Sequence, residues 1–184
     1  MAATRDLIVV AAVDTYRERG VAGATIGAIA ARADVSRGTV LHHFGGADGL
    51  LDAVLDHIFE TIEVPDERVL EGAATERERI HRFVAAQAHF NERSNSWWEV
   101  FRRDMDRPIV KAKEQVFWAA FGRLRAAAIG PAADDRIVAS TVGALVHPGT
   151  LFTFRDVGLS LDETIDAIAD LVAGVVQRYR EAGE

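Results

Sequence analysis

Thr25-Ile-Gly-Ala-Ile-Ala-Ala-Arg-Ala-Asp-Val-Ser-Arg-Gly-Thr-Val-Leu-His-His-Phe44 is the stretch that decides the fold. Thr25 and Ser36 are hydroxyl residues suited to capping a helix start, and each precedes a short helical period. In the first period Ile26, Ile29, Ala30 and Ala33 point inward. Asp34-Val35-Ser36 then leaves room only for a tight connection. Ala30 is small where the two helices must approach closely, and Val35, Val40 and Phe44 are spaced to lock the second helix onto the first. Two short helices joined in this way form a helix-turn-helix. Ser36, Arg37, Thr39, Leu41 and His42 are left on the outer side or at the start of the second helix. A helix so placed enters the DNA major groove by its N-terminal part. Arg37 can reach phosphate or guanine, and Thr39 a thymine methyl or a phosphate. Backbone N–H groups at the starts of both short helices can hold phosphates.

The periodicity on either side is helical, and no alternating strand-like run interrupts it. A first helix is predicted from about Arg5 to Arg19, with Leu7, Ile8, Ala11, Ala12 and Tyr16 on one face and Gly20 as its stop. A fourth helix starts near Ala47, and Leu50, Leu51, Val54, Leu55, Ile58, Phe59 and Ile62 form its apolar stripe. Pro65 to Ala74 is linker-like. Thr75 and Glu78 read as a capping box for a helix that buries Ile80, Phe83, Val84, Gln87 and Phe90. Ser96 and Glu99 read as a second box ahead of Trp97-Trp98. Pro108 fits the first turn of a helix reaching Gly130-Pro131. Residues from about Asp134 to Phe154 read as one helix interrupted at Pro148. Ser160 and Glu163 open a last helix, Leu161 to about Arg180. The expected fold is all-α with about nine helices. It divides into a DNA-binding domain at 1–46 and a larger domain at 47–184, joined by the helix from 47 to about 62.

Composition narrows the classes. The 184 residues allow one or two domains at ~100–200 residues each. Hydrophobic residues are 49% of the chain and charged residues 27%, which excludes a disordered composition. With no cysteine, disulfide scaffolds, thiolate metal sites and cysteine nucleophiles are excluded. Leu7 to Val13, the longest apolar run near the start, falls far short of the ~20 residues that cross a bilayer. No cationic start and small-residue cleavage site precede it, so a cytoplasmic protein with no membrane partner is expected. A net charge of −7 opposes a general nucleic-acid coat but not a small DNA-reading surface. No set of His, Asp and Glu has metal-ligand spacing. Neither a glycine-rich phosphate loop nor a serine nucleophile elbow occurs, so neither an enzyme nor a bound cofactor is expected.

Residues 5–51 closely resemble the DNA-binding domain of the TetR (tetracycline repressor) family of bacterial transcription regulators. The resemblance is carried by Thr25-Ile26, Ile29-Ala30, Ala33-Asp34-Val35-Ser36, Gly38-Thr39-Val40-Leu41, His43-Phe44 and Leu50. It implies DNA binding through Thr25, Ser36, Arg37, Gly38, Thr39, Leu41, His42 and His43. Three departures bear on affinity. Asp34 stands where Gly is usual in the turn, but Asp tolerates a left-handed backbone better than most residues. Leu41 stands where Tyr is common, removing a hydroxyl. Ala47 stands where Lys is common, removing a cation that would reach a phosphate, and Gly46 replaces a better cap. Through residue 46 five Arg face four acids, a balance of +1. DNA binding is therefore expected to be retained but weak in absolute affinity, because each missing phosphate interaction lowers the salt slope by ~1.

The resemblance also implies that the rest of the chain binds a small-molecule effector and dimerises. Trp97, Phe101 and Met105 recur at helical spacing with Trp98 beside them. Phe117, Trp118 and Phe121 form a second aromatic group, and Phe90 precedes both. Phe90, Trp97, Trp98, Phe101, Met105, Phe117, Phe121 and His147 are the expected lining of an apolar pocket. His147 is favoured among the polar candidates His89, Asn91, Arg93, Arg102 and His147, because Pro148 should kink the helix beside it. Val142 and Val146, with Ile165, Ile168, Val172, Val176 and Tyr179 of the last helix, are the expected homodimer surface. A homodimer suits a palindromic operator in double-stranded DNA. The expected function is a ligand-responsive repressor. An activator of the same fold, or a helical binding protein that has lost DNA reading, is the alternative.

Overall fold

The computed structural model describes residues 2–101, 104 and 106–183, with Ala2, Trp98 and Glu99 described by their backbone alone. Among the described residues there are nine α-helices and no strand. They are α1 (Ala2–Gly23), α2 (Ile26–Arg32), α3 (Arg37–Phe44), α4 (Ala47–Thr61), α5 (Glu76–Phe101), α6 (Pro108–Ile129), α7 (Arg136–Leu145), α8 (Pro148–Asp156) and α9 (Leu161–Gly183). No single helix among them is long and apolar enough to cross a membrane.

The chain forms two compact units, one of Met1–Glu63 with Ser94–Val116, the other of Val64–Arg93 with Phe117–Glu184. In the first unit α1 to α4 close around Ile8, Ala12, Tyr16, Ile29, Val40, Leu50, Leu51 and Val54, joined by Phe101 and Val110. Burial pushes the Tyr16 hydroxyl up to about 12, so it stays a neutral member of this core. Leu7 is 60% exposed and does not share the buried face, which runs instead through Ile8, Val9, Ala11 and Ala12. Asp48 pairs with Arg107, and Asp52 and Asp56 with Lys113, tying α4 to the start of α6. These exposed pairs are worth at most ~1 kcal/mol each. Burial of Leu50, Leu51, Val54 and Ile58, at ~1.5–3 kcal/mol per side chain, is what fixes α4.

The second unit packs α7, α8 and α9 with the first part of α5 and the second part of α6 around Ile80, Phe83, Val84, Leu124, Val142, Leu151, Ile168 and Val172. Its helix starts follow the sequence pattern. The Thr75 hydroxyl accepts from the Glu78 N–H at 3.1 Å, and the Glu78 carboxylate accepts from the Ala74 N–H at 2.8 Å. Ser160 and Glu163 form the full reciprocal box, with N–H donors at 2.7 and 3.2 Å.

Two local expectations are corrected. Ser96 does not open a helix, because α5 runs unbroken through it to Phe101. No glycine or proline lies near it, so the continuing helical ladder outcompetes the cap. Gly20 does stop the first helical run: its backbone leaves the helical region at φ 68° and ψ 170°, and a further short turn follows across this kink to Gly23. His147 lies outside any helix. Its backbone is extended and it caps α8, so Pro148 occupies a first-turn position where no N–H is required. α7 and α8 are accordingly separate helices bent by 44°.

Candidate nucleic-acid interface and small-molecule cleft

The turn of the helix-turn-helix is built by backbone hydrogen bonds around Asp34. The Val35 N–H donates to the Ala30 carbonyl at 3.0 Å, and the Asp34 N–H to the Ala31 carbonyl at 3.4 Å. With Asp34 at φ 52°, this is a Schellman stop, and Asp34 occupies the left-handed position where glycine costs least. The Thr25 hydroxyl accepts from the Ala28 N–H at 3.2 Å, capping α2. The Ser36 hydroxyl accepts from the Thr39 N–H at 3.0 Å and lies 2.9 Å from the Thr39 hydroxyl, capping α3. Asp34→Gly relieves the left-handed strain and removes an acid beside α3. It is expected to raise stability by about 0.5–1 kcal/mol and to tighten DNA binding severalfold. Thermal melts and a DNA titration at fixed salt check both, and a lower melting temperature would contradict this account of the turn.

The predicted DNA-reading side chains emerge together. Thr25, Ser36, Arg37, Gly38, Leu41 and His42 are exposed, while Thr39 and His43 are half-buried and Val40 is fully buried beneath them. The His43 ring meets His42 edge-on at 5.7 Å and lies 6.1 Å from Phe44. Arg5 lies over the Phe44 ring at 5.4 Å. Not every arginine of this region is available to DNA. Arg32 is held by both carboxylate oxygens of Glu18, and that hydrogen bond keeps the Glu18 carboxyl below its ordinary pKa. Arg17 lies over the Trp97 ring at 4.2 Å. Arg37 carries neither an ion pair nor a ring contact among the described residues, and its position at the start of α3 suits it to base or phosphate contact.

One residue of this region is not singled out by the sequence. A Cβ built on Gly49 would fall on the Phe44 carbonyl oxygen, so the corner between α3 and α4 closes only around a glycine. The family-like spacing from Phe44 to Leu50 holds that signal, but charge and capping patterns within it do not reveal a close approach of backbone.

The expected pocket residues fall into different places. Trp97 stacks on Phe101 at 6.0 Å, and both pack in the core of the first unit. Met105 and the Trp98 side chain lie outside the described residues, as does Arg102. In the second unit Phe121 and His147 line a cleft of about 40 Å³. Phe90 packs on Phe121 at 4.9 Å and on Phe117 at 5.9 Å, behind that wall. His147 stacks on Trp118 at 6.5 Å with the rings 6° from parallel. Phe83 and Gln87 of α5, Arg125 of α6, Gly143 of α7 and Val146 at its C-terminal cap complete most of the lining. Gln87 donates to Asn91 at 3.2 Å, and Asn91 donates to the Val146 carbonyl at 3.2 Å, so Asn91 positions the lining rather than forming it. His89 and Arg93 are exposed. Gln87 was legible as a polar residue inside an apolar stripe. Arg125 was not, because only the fold separates it from Arg123, which lies 3.7 Å from Glu67.

The predicted dimer face is turned inward. Val142, Ile165, Ile168, Val172 and Val176 are at most 3% exposed within the chain's own core, and Val146 and Tyr179 pack against it. Burial inside one chain and burial against a partner leave the same apolar periodicity in sequence. The outer sides of these helices instead carry Ile137, 78% exposed, and Leu171, 46% exposed. Among the described residues no group of three His, Asp or Glu side chains is placed to hold a metal.

A capped helix-turn-helix with an exposed polar second helix defines a DNA-reading class of protein. Residues 8–54 match the family model of bacterial regulatory proteins, tetR family. The chain is 29% identical to the HTH-type transcriptional regulator BetI of Paraburkholderia phytofirmans over 117 residues, 61% of this chain and 60% of that one. It is 30% identical to BetI of Paraburkholderia phymatum over 107 residues, 55% of each chain. The match thus spans three-fifths or less of these curated relatives. Among solved structures, the multidrug binding protein EbrR complexed with imidazole is similar with a TM-score of 0.65 and 20% identity, over 93% of this chain and 88% of that one. A TetR-family member from Streptomyces coelicolor A3 is similar with a TM-score of 0.62 and 20% identity, over 91% and 97%. Residues 8–54 are thus similar to the DNA-binding domain of the tetR family, and the chain shares the fold of a solved TetR-family member.

Proposed function

We propose that this chain is a cytoplasmic, homodimeric transcription regulator that reads a palindromic operator through α3 and is released from it by a small apolar or aromatic effector. The observation that carries this function is the exposed start of α3. There Arg37, Gly38 and Thr39 stand on a turn that the backbone bonds of Asp34 and Val35 hold in place. The likeness to transcription regulators supports it, and the fold shared with a multidrug binding protein supports an effector site. The sign of regulation is repression, in which occupancy of the operator blocks transcription.

An effector releases DNA only through its different affinities for two states. Helix α6 supplies Arg125 to the cleft and Lys113 to the ion pairs with Asp52 and Asp56 of α4. A shift of α6 on effector binding therefore reaches α4, the helix that follows α3 directly.

The homodimer forms through the outer faces of α7 and α9. Ile137, Thr141 and Ala144 recur at helical spacing on one, Ala167, Leu171 and Gly174 on the other. A double Ile137→Asp/Leu171→Asp chain is expected to sediment as a folded monomer and to lose at least tenfold in operator affinity. Sedimentation as an unchanged dimer would rule that surface out.

Capture of fragmented genomic DNA by the purified chain tests the function as a whole. Wild type should retain fragments sharing an inverted repeat, Arg37→Ala/Thr39→Ala should not, and a promoter carrying the repeat should be silenced by the chain. Equal capture by both proteins would refute DNA reading through α3.

A further inference from the structure

We propose that the effector is a carboxylate: an apolar or aromatic body whose acid head is bound by Arg125 in the lining of the cleft. This rests on the effector-responsive function above and names its ligand class. The Arg125 Nε is buried and has no hydrogen-bond acceptor. No acid among the described residues forms an ion pair with its guanidinium. Its Nη1 lies 3.2 Å from where a Cβ on Gly143 would be, so the side chain crosses α7 at a residue with nothing to obstruct it. Arg125 is half-buried, and a buried Nε–H donor left without an acceptor is unfavourable and calls for an explanation. A carboxylate supplies the acceptors in the geometry a guanidinium prefers.

The rest of the cleft agrees with that assignment. None of its lining residues is acidic. The His147 Nδ1 accepts from the Gly149 N–H at 3.1 Å, so the neutral ring carries its proton on Nε2, as a donor. Phe83, Phe121, Val146 and Trp118 supply apolar walls. A single guanidinium among such walls suits one negative charge better than the two of a phosphate ester. The volume of about 40 Å³ admits a head group but not a whole drug-sized molecule. Trp118 is 50% exposed at the cleft, and the ligand body takes its place by turning it outward.

The test uses the full chain without DNA, read by tryptophan fluorescence and by melting temperature. The probes are benzoate, phenylacetate, indole-3-acetate and decanoate, each against its primary amide, with phenyl phosphate alongside. At least one acid should bind saturably, with its amide and phenyl phosphate at least tenfold weaker. Arg125→Gln should abolish the preference for the acid, and Arg125→Lys should keep part of it. Without ligand, Arg125→Met should melt above wild type, since it removes a buried N–H donor that has no acceptor. The inference is overturned if no acid binds, if amide or phosphate ester binds as well as the acid, if Arg125→Gln keeps the preference, or if Arg125→Met melts below wild type. Acid binding through Arg125 that leaves DNA affinity unchanged upholds the ligand class and overturns effector release.

Discussion

Gly49→Ala is expected to destabilise the first unit by about 1–3 kcal/mol, the range for forced overlap in a packed region. In a chain of this length that lowers the melting temperature by roughly 2–12 °C at about 2–4 °C per kcal/mol. The new methyl group cannot be accommodated by turning a side chain, because the atom it meets is the Phe44 carbonyl oxygen. Relief requires α3 and α4 to move apart. Specific DNA binding should therefore fall more steeply than the melting temperature implies, since α3 is the element displaced. A thermal melt and a DNA titration at a temperature where the variant is still folded check the two parts. An unchanged melting temperature would mean that the corner does not depend on glycine.

The second large effect is on recognition itself. Arg37→Ala/Thr39→Ala should cost roughly a hundredfold or more in specific affinity, at ~1–3 kcal/mol for each interaction with a base edge that is removed. The fold should persist. The Ser36 hydroxyl accepts from the Thr39 backbone N–H, which alanine retains, and Arg37 is exposed. Arg32→Ala makes a sharp comparison on the same domain. It removes the same charge, but from a guanidinium already held by Glu18, so the loss of DNA affinity should be much smaller. Titrations of the three proteins against one operator separate the cases. Equal losses for Arg32 and Arg37 would show that general charge, rather than base reading by α3, carries the binding.

The helix-turn-helix was legible because its signals are local. Thr25, Ser36 and Asp34 act on backbone groups within a few residues, so spacing alone defines their roles, and the structure shows each of them in place. The capping residues Thr75, Glu78, Ser160 and Glu163 were readable for the same reason. What local signals left open depended on where helices go. Trp97 and Phe101 continue the helical aromatic spacing of Phe90, yet α5 passes from one compact unit to the other between them. Nothing in the sequence from Phe90 to Trp97 interrupts the helix to mark the passage. The α9 stripe through Ile165, Ile168, Val172 and Val176 announced burial without announcing against what. Arg125 sits in an Ala- and Leu-rich stretch two residues from Arg123, and only the packing of α6 tells the cleft residue from the surface one.

Selection of binding sites from random duplex DNA at low salt, with Arg37→Ala/Thr39→Ala as the control protein, tests the central claim most directly. The account predicts an enriched inverted repeat whose half-sites are bound by two protomers, and no enrichment with the control. No enrichment by a wild-type chain that is folded and dimeric would contradict it. Asp34, Leu41 and Ala47 would then be marks of a helix-turn-helix that no longer reads DNA.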